Sequence, residues 1–171
     1  MTGRKENAMS EKAELRIECA TDRHVPLILQ MIKDLAEYEK MSSDVTATEA
    51  GLRASLFGAR PAAEVVIAYA GETPAGFALY FSNYSTFLGK PGLYLEDLFV
   101  RPEWRGHGYG LALMKHLARI AVERGCGRFE WSVLDWNEPA IGFYQGLGAK
   151  LMDGWSIVRV TGEALAKLAA S

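Results

Sequence analysis

The chain has 171 residues, 49% of them hydrophobic and 23% charged, with a formal net charge of -2. That length suffices to bury one core, and the near-neutral charge excludes the strongly basic signature of a nucleic-acid binder. No run approaches the roughly 20 consecutive apolar residues of a membrane span, and the polar N-terminus lacks the apolar core of a signal peptide, so a cytoplasmic protein is expected.

Residues 1–14 are rich in Lys and Glu without apolar periodicity and read as a flexible tail, which leaves a single domain over 15–171. "LRIEC" alternates as a half-buried strand. The segment after it carries Leu27, Met31, Ile32, Leu35 and Tyr38 at the spacing of one helix face. A shorter helical pattern covers about 47–57, and two strands joined by a tight turn at 70–74 form a hairpin. Next comes the strand "LYLEDLFV", interrupted by Glu96 and Asp97, then a helix over about 108–124, a strand over about 128–134 and a helix over about 139–147. "AKLMDGWSIVRV" reads as a last hairpin, with a helix from Glu163. The order β-α-α-β-β-β-α-β-α-β-β plus a C-terminal helix predicts an α/β or α+β domain. Cys19 and Cys126 have no Cys-x-x-Cys neighbour and read as buried thiols. His24, His107 and His116 lack metal-ligand spacing, so no metal is expected.

In "WRGHGYGLALM", Gly106, Gly108 and Gly110 alternate behind Arg105 and run straight into a helical pattern. Glycines let main-chain N–H groups converge on one anion, and a helix start adds unpaired donors and about half a positive charge. A phosphate or diphosphate is the natural guest. Gly-x-Gly-x-x-Gly fails at Leu111 and Leu113, and no Gly-Lys-Ser/Thr occurs, so neither common nucleotide loop applies.

The pattern Arg-x-x-Gly-x-Gly (Arg105, Gly108, Gly110) after a strand ending Leu98, Phe99, Val100 and a turn through Pro102 resembles the acetyl-coenzyme A signature of the GNAT acyltransferases. Four further blocks, Ile32 to Glu39, "YLEDLFV", "DWNEPAIGFY" and Gly154-Trp155, are similar to the diamine acetyltransferase branch, the spermidine/spermine and thialysine acetyltransferases. The resemblance implies a mixed, mostly antiparallel sheet with acetyl-coenzyme A in a cleft where the fourth and fifth strands splay apart. It also implies a homodimer, with a small amine as the other reactant. Coenzyme contacts are implied at Leu98, Phe99 and Val100, at Arg105, Gly106, His107, Gly108, Tyr109, Gly110 and Leu111, and at Asn137, Glu138, Pro139 and Ala140. Substrate contacts fall on Tyr38, Glu39, Glu96, Asp97, Glu130, Trp131, Ser132 and Asp153. Tyr144 corresponds to a proton-donating tyrosine, and Glu96 to a carboxylate that relays the amine's proton. Asp153 stands where a glutamate is usual, and Phe87 where tryptophan is frequent.

Freeing the lone pair of an alkylammonium with pKa near ~10.4 costs roughly 4.6 kcal/mol at pH 7, so a positioned carboxylate or water relay is needed. Adjacent acids on a strand alternate between faces, so one of Glu96 and Asp97 can be plain solvated charge. By spacing alone Tyr144 reads as a core position of an amphipathic helix, and the resemblance gives it the chemical role. Acetylation of a protein lysine or an antibiotic, and a coenzyme A-binding module without turnover, are the rival readings. A nucleotide-binding module is weaker still.

Overall fold

The computed structural model describes residues 14–170, in two compact units that meet in sequence between Ser132 and Val133. The tail expected over 1–14 lies outside the described residues except for Glu14.

The first unit runs β1 (Leu15–Cys19), α1 (Val25–Tyr38), α2 (Glu49–Phe57), β2 (Glu64–Ala70), β3 (Thr73–Ser85), β4 (Lys90–Val100), α3 (Tyr109–Glu123) and β5 (Phe129–Trp131). The five strands lie in the sheet in chain order. The first three pairings are antiparallel. The last, β4 with β5, is parallel, as a helical crossover through α3 requires. The mixed, mostly antiparallel sheet is the one expected.

Its core follows from the two periodicities. Ile28 and Met31, one turn apart on α1, meet Val65, Ile67, Tyr69, Phe77 and Phe99, which alternate along β2, β3 and β4. Leu113 and Leu117 of α3 are fully buried against the sheet. With helices on both sides, β2 is buried from Val65 to Ala70, which explains its unbroken apolar run. The cysteines depart from expectation. Cys19 ends the edge strand β1 and is exposed, and Cys126, in the turn after α3, is only half-buried.

The far end of α3 is bracketed to the sheet. Arg124 donates to both carboxylate oxygens of Glu64 at 2.6 and 2.8 Å, and the Tyr80 hydroxyl lies 3.4 Å from the same carboxylate. The Arg124 hydrogen bond holds the Glu64 pKa below its usual value, and burial pushes Tyr80 up to about 12. A depressed carboxylate stabilises the fold above its unfolded pKa and loses that contribution as pH falls through the lower, folded value. Both side chains are more than a third exposed, so the pair contributes ~0.5–1 kcal/mol at most. Arg124→Ala is expected to lower stability by that amount in urea melts at pH 7, with the difference vanishing in acid below the folded pKa of Glu64.

The second unit holds α4 (Glu138–Gly146) and α5 (Gly162–Ala170). The hairpin expected over 149–160 is absent: that stretch forms no strand, only a turn at Asp153-Gly154. Its apolar residues Leu151, Met152, Trp155, Ile157 and Val158 are exposed. Alternating apolar residues favour extended backbone, but a strand exists only where another strand accepts its N–H and C=O groups. Among the described residues none does so here.

Candidate active site

β4 and β5 pair over only three positions, Leu93 with Phe129, Tyr94 with Glu130 and Leu95 with Trp131. β4 runs on to Val100 while β5 stops, so beyond Leu95 that side of β4 has no strand neighbour among the described residues. Register tells which backbone groups face the opening. Arg101 N–H donates to Ala75 O at 2.9 Å, so Phe99, two residues earlier and paired with Phe77, directs its N–H and C=O toward β3. Leu98 and Val100 alternate with it and direct theirs to the open side. The approach of β3 here is close: a Cβ at Gly76 would sit 2.4 Å from Phe99 O.

The opening begins at a β-bulge. Leu79 of β3 faces Asp97 and Tyr80 faces Leu95, which leaves Glu96 as the extra residue of β4. The bulge breaks the alternation that would hold the two acids strictly apart. Burial, then the charges of Glu96 and of Glu39, push Asp97 up to about 6. Burial also raises Glu39, the residue that closes α1. Asp97 therefore feels both other carboxylates near the carbonyl end of a 14-residue helix, whose dipole adds negative potential. Such a place attracts a cation.

Past Val100 the chain makes a turn at Pro102–Trp104 and enters the glycine loop. Gly106 and Gly108 have φ of +75° and +90°, angles that side chains rarely adopt. Gly108 caps α3, and the first intrahelical bond is Ala112 N–H to Gly108 O, so the preceding N–H groups of the first turn are without helical partners. Trp104 supports the loop from within: its ring meets Tyr109 edge-on at 5.7 Å and His107 at 6.4 Å. It opens the quoted glycine stretch, yet nothing in the pattern marks it as a support. Tyr109 is buried, so only its main chain can serve a ligand. His107 Nδ1 lies 2.8 Å from Arg105 O.

Arg105 turns away from the glycines. Its Nε–H donates to Val100 O at 2.9 Å, and its guanidinium lies 4.6 Å from the Tyr38 ring centroid and 5.7 Å from that of Phe99. The structure thus brings Tyr38, Glu39, Glu96, Asp97, the end of β4 and the glycine loop together in the first unit. Glu130 has partners of its own: Arg128 Nε at 2.7 Å and the Asn83 side-chain amide, which donates at 3.1 Å. Ser132 Oγ is 2.8 Å from the Tyr94 hydroxyl, and the Trp131 ring meets that of Phe129 at a tilt, with centroids 4.9 Å apart.

In the second unit the Asn137 side chain accepts from Ala140 N–H at 3.3 Å, capping α4 over Glu138 and Pro139. Tyr144 lies on the same helix, 5.3 Å from the Phe143 ring. Asp153 is exposed in its turn.

Residues 28–149 match the Acetyltransferase (GNAT) family. The chain is 42% identical over 153 residues to a thialysine N-epsilon-acetyltransferase of Sus scrofa, covering 83% of this chain and 89% of that protein. It is 33% identical over 195 residues to an L-ornithine N5-acetyltransferase of Arabidopsis thaliana, at 88% and 86% coverage. Among solved structures, an integron cassette protein from the mobile metagenome of V. cholerae superposes with a TM-score of 0.77 at 31% identity, covering 92% of this chain and 98% of that one.

Proposed function

The chain belongs to the GNAT acetyltransferase family and is an N-acetyltransferase, and on that premise we propose that it acetylates a primary amine of a small cationic molecule. Diamines, polyamines and lysine-like amino acids are the substrate class. The observation that carries this reading is the grouping of Glu39, Glu96 and Asp97 at the bulge, next to the glycine loop. The two relatives, a thialysine and an ornithine acetyltransferase, support it, since both of those amines carry a second charged end.

The family's co-substrate, acetyl-coenzyme A, supplies the activated thioester. The residues present fit it: the first-turn amides of α3 suit a diphosphate, and the outward N–H and C=O of Leu98 with the N–H of Val100 suit the amides of the pantetheine arm. The amine attacks directly in a ternary complex, without a cysteine or serine nucleophile. Asp97 and Glu96 orient the ammonium and accept its proton, directly or through water. Raising a carboxylate from 3.8 to about 6 lowers the uphill proton transfer from an alkylammonium from ~9 to ~6 kcal/mol, a saving that justifies its burial. Tyr144 donates to the departing sulfur.

The test is thiol release at fixed acetyl-coenzyme A against spermidine, putrescine, thialysine, ornithine and lysine. Turnover of at least one of these, well above that of an acetylatable peptide or an aminoglycoside, is the expected result. The homodimer belongs to the same proposal, with the exposed run from Leu151 to Val158 as surface that a second copy would cover. Light scattering should give twice the 18.8 kDa of the chain.

Asp97 yields a pH prediction. Its folded pKa lies above the unfolded value, so its ionisation weakens the fold: stability falls as pH rises from about 4 to about 6 and stays lower above. Function runs the other way, because only the ionised form accepts a proton. The kcat/KM for the amine is expected to rise through about pH 6. Asp97→Asn should lose that limb while melting at a higher temperature than the parent at pH 7. A variant with the limb unchanged would remove Asp97 from the proton path.

A further inference from the structure

In the Arg-x-x-Gly-x-Gly signature the obvious duty of the arginine is to hold a phosphate. Here its side chain is otherwise engaged. Nε is bonded to the carbonyl of Val100, the last residue of β4, and the guanidinium lies over the Tyr38 ring and against Phe99. Tyr38 is the final residue of α1, and Glu39 follows as its cap. The next residue, Lys40, has φ of +61°, and α1 closes there with Lys40 N–H donating to Glu37 O at 3.1 Å and Met41 N–H to Ala36 O at 2.8 Å. One side chain therefore spans three pieces: the start of the glycine loop, the end of the open strand and the corner that carries Glu39.

We propose that Arg105 is a positioning residue that couples the two reactants: when a diphosphate fixes the loop's main chain, Arg105 holds Tyr38, and with it Glu39, in place for the ammonium. The amine then binds more tightly to the loaded enzyme than to the empty one. By linkage, the acetyl donor binds more tightly by the same factor when the amine is present. The guanidinium itself is not a phosphate ligand; the loop amides do that work. A planar, always-charged group that stacks on one ring while its Nε–H bonds a carbonyl is a task for arginine that lysine performs only in part. The inference rests on the acetyltransferase reading above.

The test is titration calorimetry of the fastest amine from the thiol-release panel, with and without saturating coenzyme A, on the parent, Arg105→Lys and Arg105→Met. The parent is expected to show a coupling of about fivefold or more. Arg105→Lys should retain part of it, and Arg105→Met should show none. Coenzyme A affinity without amine should move by less than about threefold in both variants, as expected when phosphate binding rests on main-chain donors. Should Arg105→Met fail to fold, Tyr38→Leu removes the ring from the other side and should abolish the coupling equally. A tenfold loss of coenzyme A affinity in Arg105→Met without amine would make the guanidinium a phosphate ligand and overturn the proposal. Coupling that is absent in the parent, or intact in Arg105→Met and Tyr38→Leu, would also overturn it. Failure of the acetyltransferase reading looks different: the parent would release no thiol with any amine.

Discussion

Tyr144→Phe is expected to lower kcat by about 10²- to 10³-fold, within the range of a lost general acid, while both KM values stay within about threefold. The reasoning is chemical. Expelling a thiolate places negative charge on sulfur in the transition state only, so a hydroxyl that donates there stabilises that state without tightening either ground-state complex. A factor of 10² corresponds to ~2.7 kcal/mol, the scale of one well-directed donor. Phenylalanine keeps the ring, and with it the packing beside Phe143 and the helix capped by Asn137. Steady-state thiol release with each substrate varied in turn checks this. A variant with full kcat would return Tyr144 to the structural role that its helical spacing suggests.

Gly108→Val should raise the KM for acetyl-coenzyme A by roughly 10- to 100-fold. At φ of +90° a β-branched residue is an outlier that costs on the order of 1–3 kcal/mol, and the chain relieves it by rotating peptides that carry the anion-binding amides. Strain alone would also destabilise the protein, so a control is needed. Gly71, in the turn between β2 and β3, also has positive φ, +58°. Gly71→Ala should lower the melting temperature without touching either KM. If both variants lose affinity equally, the loop has no special tie to the coenzyme.

Much of this was readable in advance, and the reasons differ by element. α1 and α3 were legible because burial on one side forces a 3.6-residue period, and the loop because three alternating glycines followed by a helix have few other uses. The acids were legible as residues but not as a group. Alternation assigns Glu96 and Asp97 to opposite faces, and the register step that defeats this lies in how β3 matches β4, which neither strand records alone. The same holds for Arg105, whose partner Tyr38 is 67 positions earlier in the chain. The segment over 149–160 has a strand's apolar spacing, but pairing is a property of two segments and its pattern names no partner. Cys19 is exposed rather than buried because an edge strand leaves one flank to water, which composition does not reveal.

The added residue in β4 makes the site sensitive to counting. The strands stay in step on both sides of the surplus residue, Tyr80 with Leu95 and Leu79 with Asp97, and Phe77 faces Phe99 inside against α1. Removing a single codon at position 96 would close the ladder into plain alternation, leaving Phe99 inside and the amides of Leu98 and Val100 toward the gap, but taking away the irregularity that frees the two acids from strict opposition. Chemical identity at position 96 can therefore drift to suit a new amine without moving the strand on either side of it.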